Sequence, residues 1–245
     1  MSKNIIITGA SSGIGRATAD CFLAAGWTVG LIARRSAVLS QVFGDNPAAM
    51  PLECDVSDEG AVAAAFDAFV AKFGRLDVLF NNAGLFTPAA SIDEVTLKNW
   101  KTSVDVNLTG SFLCARKAFG LMRAQDPQGG RIINNGSISA HTPRPGSVAY
   151  TATKHAITGL TKSIALDGRP YRINGGQIDI GNAGTEMVTE LNARKLAADP
   201  NATPDPVMDV NHSARAVLQM AELPLDTNIL FMTIMASEMA FVGRG

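Results

Sequence analysis

The sequence predicts an α/β fold: a single doubly wound, Rossmann-type parallel sheet with helices on both faces. Short apolar runs such as NIIIT and TVGLIA lack polar alternation, which is typical of strands buried on both faces. Amphipathic stretches separate these runs, and strand–helix alternation with short connections favours a parallel sheet. No repeat or linker interrupts this order, so we expect residues 1–245 to form one domain.

The predicted strands follow one another along the chain. The clearest are NIIIT, TVGLIA, DVLFN and RIINNG, and the segment from AAM to LEC is a weaker candidate. NILFMTIMA (228–236) is predicted to be a further buried strand. A membrane span needs about 18 apolar residues, and no run in the chain is that long. We therefore expect no membrane partner.

The intervening helices are predicted from the spacing of their apolar residues. The stretch from Asp58 to Gly74 is amphipathic. Three further faces are expected to pack on the sheet: Ala17, Cys21 and Ala24; Leu108, Phe112, Ala115, Phe119 and Met122; and Ile157, Leu160 and Ile164. By contrast, 193–209 is rich in Pro, Asp and Asn, which predicts a surface excursion of the kind that often caps a site.

Composition and charge argue against several classes of protein. Apolar residues make up 47% and charged residues 18%, so a core can be buried and disorder is not expected. The net charge of −1 lacks the basic excess of nucleic-acid-binding proteins. Cys21, Cys54 and Cys114 form no Cys-x-x-Cys pair. We therefore expect reduced thiols, a cytoplasmic location and no thiolate zinc site.

A glycine-rich turn, TGASSGIG, joins the first strand to the first helix. Glycines allow a tight turn and close approach of the backbone to a ligand, and the helix N-terminus offers free N–H groups to a pyrophosphate. The spacing is G-x-x-x-G-x-G, not the commoner G-x-G-x-x-G. The alternative is a turn that only packs helix on strand. Its position in the first βα unit favours dinucleotide binding through Gly9, Ser11, Ser12, Gly13, Ile14 and Gly15.

The end of the second strand predicts which coenzyme binds. In dinucleotide sites an acidic residue at this point bonds the ribose 2′-hydroxyl, whereas an arginine accommodates a 2′-phosphate. Here Ala33 is followed by Arg34 and Arg35. A guanidinium can bind a phosphate with paired hydrogen bonds, so NADP(H) is the predicted cofactor. The alternative is two solvated arginines at the start of a helix.

The stretch SVAYTATKHAITGL sets Tyr150 one helical turn before Lys154. Residues at i and i+4 on any helix are neighbours, so an isolated pair of this kind indicates little. The pair gains meaning from other motifs in the chain, which resembles the short-chain dehydrogenase/reductase family, and within it the NADP(H)-preferring 3-oxoacyl-reductase-like group. TGASSGIG resembles the coenzyme turn of that family, CDV (54–56) its adenine contact, and NNAG (81–84) its fourth-strand motif.

The resemblance also supplies a catalytic tetrad. Asn107, Ser137, Tyr150 and Lys154 match its members, and Ser137 precedes Tyr150 by thirteen residues, the usual interval. Ser139 is the less favoured serine.

By the same resemblance, Tyr150 would donate a proton to the alkoxide that hydride transfer to a carbonyl produces. The ordinary pKa of tyrosine is too high for the reverse step, so we expect Lys154 to lower it. Ser137 would hold the substrate oxygen, and Asn107 a water that links Lys154 to solvent.

The family's remaining coenzyme contacts match less evenly. Asp55 would bond the adenine amino group beside Val56, and Asn82, Ala83 and Gly84 would line the adenosine side. After the sixth strand, NGGQIDIGNAGTEM replaces the family's usual Pro-Gly. Ile180 and Thr185 are the nearest counterparts of the coenzyme contacts there. The ending SEMAFVGRG also lacks the frequent Asp-Gly-Gly.

A lid over the substrate is predicted at 185–210. SAHTPRPGSVAY leaves the fifth strand at its carboxyl end, so His141 and Arg144 must pass near the substrate mouth. The Pro- and Asp-rich stretch could close over them, with Met187 and Leu191 as apolar contacts. The alternative is an ordinary surface loop.

The predicted function is an NADP(H)-dependent oxidoreductase that interconverts a small-molecule carbonyl and a secondary alcohol, as a homodimer or homotetramer. The alternatives are an isomerase or dehydratase of the same fold, and a non-catalytic nucleotide-binding scaffold. A hydrolase triad built on Ser137 is disfavoured because GSISA is not a Gly-x-Ser-x-Gly elbow. His141, His155 and His212 share no ligand spacing, so no metal site is predicted, and His155 is expected at the surface.

Overall fold

The computed structural model describes residues 3–242 and confirms the predicted fold class. The strands are β1 (Asn4–Thr8), β2 (Thr28–Ala33), β3 (Ala49–Glu53), β4 (Val78–Asn81), β5 (Gly130–Asn135), β6 (Ile173–Ile180) and β7 (Phe231–Ile234). The helices are α1 (Gly13–Ala24), α2 (Ser36–Phe43), α3 (Glu59–Phe73), α4 (Leu97–Ser103), α5 (Gly110–Ala124), α6 (Val148–Asp167), α7 (Glu186–Ala198) and α8 (Val210–Glu222). A π-helix at Val104–Thr109 runs directly into α5.

The seven strands of the described chain form one parallel sheet in the order β3-β2-β1-β4-β5-β6-β7. Strands β2 and β3 are added on one side of β1, and β4 to β7 are added in turn on its other side. The direction of the strand order therefore reverses between β1 and β4. Such a switch point opens a crevice at the carboxyl ends of the strands, where doubly wound proteins bind ligands. The polar residues that follow β1, β4, β5 and β6 therefore share one edge of the sheet.

Helices cover both faces of the sheet, which explains the continuous apolar strands. On one face, Phe22 of α1 and Val217 of α8 pack against Ile5 and Leu31. On the other, Phe66 of α3, Cys114 of α5 and Ile164 of α6 pack against the alternate strand residues, such as Ile6. Each of these strands buries side chains on both sides, as its sequence predicts.

The helix predicted from Asp58 to Gly74 is confirmed as α3, and its ends have clear local causes. The Asp58 carboxylate caps the helix by accepting a hydrogen bond from the Ala61 N–H at 2.9 Å. Gly74 ends it with a φ of 85°, a backbone conformation that favours glycine.

One predicted helix face is wrong in phase, and another departs at one residue. In α1, Ala17 is buried but Cys21 is only partly buried and Ala24 is exposed. The buried face instead includes Thr18, Ala19 and Phe22. In α5, Phe112 is 45% exposed. The other predicted residues of that face are buried or partly buried. The buried residues of α5 include Leu113, Cys114, Ala115, Ala118 and Met122.

The last strand also differs from its prediction. β7 was expected to be buried, but Phe231 is 38% exposed and the exposure of its residues alternates. The reason is position, because β7 pairs with β6 and lies at the edge of the sheet. Arg131 of β5 ties the segment before β7 to the sheet. Its buried guanidinium donates hydrogen bonds to Asn228 Oδ1 at 2.8 Å and to backbone carbonyls that include that of Thr227 at 3.0 Å.

The predicted surface excursion at 193–209 is only partly a loop. Residues 193–198 belong to α7, and the loop begins after that helix. It returns to the sheet edge where Met208 bridges to Ala183. Residues 187 and 198 are described in their backbone only, so the predicted contact of the Met187 side chain lies outside the described part of the structure.

Candidate active site

The glycine turn after β1 has the backbone conformation and the close contacts that require glycine. Gly9 and Gly13 have φ values of 68° and 53°. A Cβ atom on Gly15 would lie 2.2 Å from the Gly9 carbonyl oxygen, so only glycine lets α1 start this close to β1. Ser12 precedes the first residue of α1 and is exposed, while Ser11 and Ile14 are partly buried. The N-terminus of α1 therefore opens onto the crevice at the switch point.

The NNAG segment is bound to the end of β1. The backbone N–H groups of Asn82 and Ala83 both donate to Thr8 Oγ1 at 2.9 Å. The Asn82 side chain also donates to the Thr8 carbonyl at 2.9 Å. Gly84 follows directly, at the start of the loop that leads to α4. The predicted coenzyme turn and NNAG segment are thus neighbours across the crevice.

The predicted adenosine end lies at the carboxyl ends of β2 and β3. Arg34 and Arg35 are exposed just after β2, while Val56 is buried after β3. Hydrogen bonds from the Ser57 hydroxyl and N–H lower the pKa of Asp55, and the charge of Arg34 adds to this effect. Arg34 and Asp55 are therefore close enough to interact, at the position where an adenosine ribose would lie.

The structure brings Thr185 to the glycine turn, although its sequence register was unusual. Thr185 caps α7 by accepting a hydrogen bond from the Val188 N–H at 3.4 Å. Its methyl group lies 3.2 Å from where a Cβ atom on Gly13 would be. Ile180 ends β6 and is buried, 7% exposed. Both residues therefore lie at the edge of the sheet that carries the crevice.

Ser137, Tyr150 and Lys154 converge at this edge. Ser137 follows β5, and its hydroxyl lies close enough to Tyr150 to lower the pKa of the phenol by hydrogen bonding. The same hydroxyl accepts a hydrogen bond from the Ser139 N–H at 3.1 Å. Lys154 lies one turn after Tyr150 on α6 and is 5% exposed. Its ammonium donates to the Asn135 carbonyl at 2.7 Å and lies 5.5 Å from the centre of the Tyr150 ring.

The protonation chemistry of this group is dominated by burial. Burial raises the pKa of Tyr150 to about 12; the Ser137 hydrogen bond and the charge of Arg144 oppose the rise, and the charge of Asp179 adds to it. Burial also lowers the pKa of Lys154 to about 8, against the attraction of Asp179. The influences on the pKa of Tyr150 here are burial, Ser137, Arg144 and Asp179, so the expected lowering of that pKa by Lys154 stays a prediction.

Asn107 is buried within the π-helix, and its side chain has different partners from those expected. Its Oδ1 accepts from the Leu85 N–H at 2.8 Å, and its Nδ2 donates to the Leu85 carbonyl at 3.0 Å. The amide thus braces the loop after NNAG. The expected role of Asn107 in holding a water for proton relay stays a prediction.

Sequence reasoning missed an aromatic residue of the site. Phe86, two residues after NNAG, stacks on the Tyr150 ring with a centroid distance of 3.9 Å and an interplanar angle of 29°. Phe86 is 42% exposed, so it covers the tyrosine while facing solvent itself. Phe86 lies in a loop without periodic spacing of apolar residues, so its closeness to NNAG is the one sequence feature that could have indicated it.

A second missed residue is Asp179, which lies near the end of β6 and is 1% exposed. One carboxylate oxygen accepts from the Ser137 N–H at 2.9 Å, and the other lies 2.8 Å from His141 Nε2. Serine, aspartate and histidine thus meet, but not as a hydrolase triad. In such a triad histidine lies between the other two, whereas here the carboxylate does. His155 is exposed, as predicted.

Within residues 3–242, no group of three or more His, Cys, Asp or Glu side chains is arranged to hold a metal ion. Over the same residues, no helix combines the length and apolar character needed to cross a membrane.

Comparison with known proteins assigns the family. Residues 3–196 match the short chain dehydrogenase family. The 3beta-hydroxysteroid dehydrogenase of Mediterraneibacter gnavus is 37% identical over 169 residues, which span 67% of this chain and 60% of that relative. The structure of a 3-ketoacyl-(acyl-carrier-protein) reductase from Brucella melitensis complexed with NADH is 27% identical, with a TM-score of 0.84 over 95% of this chain and 96% of that one. ElxO with NADP bound is also 27% identical, with a TM-score of 0.85 over 96% and 98%. The chain belongs to the short-chain dehydrogenase/reductase family of oxidoreductases.

Proposed function

We propose that this protein is an NADP(H)-dependent reductase or dehydrogenase that interconverts a small-molecule carbonyl and a secondary alcohol, with Tyr150 as the acid/base. The observation that carries the proposal is the convergence of Tyr150, Ser137 and Lys154 at the carboxyl edge of the sheet, beside the glycine turn. The intact group disfavours a non-catalytic scaffold.

The residues along the crevice fit a dinucleotide. Gly9, Gly13 and Gly15 let the turn pack closely against the NNAG segment, Thr185 and α1, and the N-terminal N–H groups of α1 would bind a pyrophosphate there. Asp55 and Val56 would hold the adenine, with Asn82, Ala83 and Gly84 along the adenosine side.

At the far end of the crevice, Arg34 and Arg35 are exposed and no acidic residue ends β2, which supports NADP(H) over NAD(H). Ile180 and Thr185 would contact the nicotinamide end. Among the similar structures, one is complexed with NADH and another has NADP bound, so the family accepts both coenzymes.

A bound nicotinamide coenzyme would supply the hydride for reduction of a carbonyl carbon. The chain's part is to place and protonate the carbonyl oxygen. Ser137 would donate a hydrogen bond to that oxygen, and Tyr150 would transfer its phenolic proton to it. At neutral pH Tyr150 is a protonated phenol, as an unshifted tyrosine would be, and this is the form that reduction requires. Lys154 would stabilise the phenolate that remains and bond the nicotinamide ribose.

The remaining parts of the proposal concern the protein's surroundings. Unpaired Cys21, Cys54 and Cys114 support a cytoplasmic location. Exposed apolar side chains on α4, α5 and β7 support a homodimer or homotetramer. We also propose that 185–210 acts as a lid over the substrate, within a single domain.

The test is to follow the absorbance of NADPH or NADH with a panel of ketones, aldehydes and oxoacyl thioesters. We expect NADPH to bind roughly tenfold or more tightly than NADH, because a guanidinium–phosphate bond is charge-assisted. Tyr150→Phe should lower turnover at least about a hundredfold with NADPH affinity almost unchanged. Tyr171→Phe, which alters the chain's other tyrosine, is the matched control. Full activity in the Tyr150 variant would refute the acid/base assignment, and equal affinity for NADH would refute the coenzyme assignment.

A further inference from the structure

Asp179 is a buried carboxylate that the proposed reaction leaves without a role. It is 1% exposed, and within residues 3–242 its ion-pair partner is a histidine rather than a lysine or arginine. Burying a carboxylate is expensive unless several donors compensate for the lost water. A neutral residue would avoid this cost, so the charge at this position calls for an explanation.

The donors around Asp179 connect it directly to the site. Oδ1 accepts from the Ser137 N–H at 2.9 Å and from Gln177 Nε2 at 2.7 Å. Oδ2 lies 2.8 Å from Nε2 of His141, whose ring is about half exposed. One carboxylate therefore spans from the main chain of the serine that bonds Tyr150 to a histidine beside the crevice.

The chain leaves room for this carboxylate at the residue before the serine. A Cβ atom on Gly136 would lie only 2.0 Å from Asp179 Oδ1. The Gly136 N–H in turn donates to the Ile178 carbonyl at 2.8 Å, which fixes the end of β5 against β6. The absence of a side chain at 136 is thus what allows the carboxylate to reach the Ser137 main chain.

Besides its hydrogen bonds, Asp179 influences the pKa values of the neighbouring site residues through its charge. It contributes to the raised pKa of Tyr150 and opposes the lowering of the pKa of Lys154. The other charged or titratable groups facing this region are His141 and Arg144, both on the segment between β5 and α6. A negative charge here favours the protonated phenol, which is the acid for carbonyl reduction.

We propose that Asp179 is a positioning residue of the catalytic centre, which fixes the Ser137 main chain with one carboxylate oxygen and His141 with the other. This inference rests on the proposed function, since it assigns Tyr150 as the proton donor. It adds to that function a carboxylate on β6 that acts through Ser137 and Tyr150 without touching the substrate.

The first experiment measures ionisation of Tyr150 without turnover. The chain has two tyrosines, so in a Tyr171→Phe background the near-ultraviolet absorbance of phenolate reports Tyr150 alone. Asp179→Asn keeps the shape and an acceptor for the Ser137 N–H but removes the charge. We expect the phenolate to form at a pH lower by about 0.5 in this variant. In the same variant, the fall in reduction rate at high pH should move to lower pH by a similar amount.

Asp77→Asn is the matched control. Asp77 also accepts a backbone N–H, that of Asn4 at 2.8 Å, and a side-chain donor, Arg75 Nε at 2.7 Å, but it lies at the opposite end of the strands. The Asp77→Asn variant should leave the ionisation of Tyr150 unchanged. An unchanged midpoint in Asp179→Asn, or an equal shift in Asp77→Asn, would overturn the electrostatic part of the proposal.

Asp179→Ala tests the positioning part, because it removes the acceptor for the Ser137 N–H. We expect kcat to fall about tenfold or more, with the dissociation constant of NADPH within about twofold of the parent. A kcat equal to that of the parent would overturn this part. If the parent reduces no carbonyl while Asp179→Asn still shifts the titration, the proposed function fails and the link between Asp179 and Tyr150 stands.

Discussion

At the scale of single residues, Lys154 combines a proposed catalytic role with an unfavourable environment. The residue is 5% exposed, and its ammonium donates a hydrogen bond to a backbone carbonyl. Because burial lowers its pKa from 10.5 to about 8, the folded state disfavours the charged form that the unfolded chain carries. Lys154 is thus a cation at a position where an apolar side chain would make the folded protein more stable, and its proposed role in catalysis explains why it is there.

We predict that Lys154→Met stabilises the protein at neutral pH. The folded pKa lies below the unfolded one, so the cost of the lysine is complete below about pH 8 and disappears as pH rises towards 10.5. The lowered pKa corresponds to a gain on the order of 3 kcal/mol at pH 7, reduced by the lost hydrogen bond to Asn135. Urea unfolding at pH 7 and pH 10 measures this gain.

The gain in the free energy of unfolding should be smaller at pH 10 than at pH 7. The Lys154→Met variant should be inactive at both pH values. Lys162→Met, at an exposed position on the same helix, is the control, with an expected change within about 0.5 kcal/mol. Destabilisation by Lys154→Met at pH 7 would contradict the assigned cost of burial.

At the scale of elements, the segment after α7 is anchored to α7 through Asp205. Asp205 Oδ1 accepts from Lys195 Nζ at 2.7 Å, and the Asp205 backbone exchanges hydrogen bonds with the Asn192 side chain at 2.9 and 3.1 Å. Arg144 lies 3.8 Å from the same carboxylate and donates to Asn182 at 2.9 Å. The proposed lid is thus connected to the segment that carries His141.

We predict that limited proteolysis detects closure of this lid. Cleavage within 193–209 should be several-fold slower with NADPH and substrate than in the free protein, because the bound ligands order a gating segment. Asp205→Ala should speed cleavage of the free protein, since it removes the contact with Lys195. Glu190→Ala, which removes an exposed ion pair with Arg194 on α7, is the control. Equal cleavage rates with and without ligands would exclude the lid.

At the scale of the whole molecule, exposed apolar side chains indicate where copies of the chain would meet. Phe231 on edge strand β7 is 38% exposed, and Phe112 on α5 is 45% exposed. An edge strand with exposed apolar residues can pair with another chain. The proposed oligomer would cover these residues.

We predict that the parent protein sediments as a dimer or tetramer at micromolar concentration. Phe112→Glu or Phe231→Glu should reduce the assembly to a smaller species, because each would bury a charge at an interface. Val42→Glu, at a 43% exposed site on α2, should not. A monomeric parent in analytical ultracentrifugation would refute the proposed assembly.

The sequence by itself determined the sheet, the order of its elements and the family motifs. Buried parallel strands have continuous apolar runs, and helix ends carry local signals such as Asp58 and Gly74, so both are legible without contacts. The spacing of Ser137, Tyr150 and Lys154 is likewise a property of the chain. These features depend on neighbours in sequence or on motifs with fixed intervals.

The tertiary structure alone decided what surrounds the predicted tetrad. Asp179 meets Ser137 across 42 residues of chain, and Phe86 reaches the Tyr150 ring from another loop. The exposure of β7 likewise follows from its position at the edge of the sheet. The spacing of residues in the sequence cannot predict these contacts, because they form only when segments distant in sequence become neighbours. The raised pKa of Tyr150 has the same origin, since it depends on the desolvation that folding imposes on the phenol.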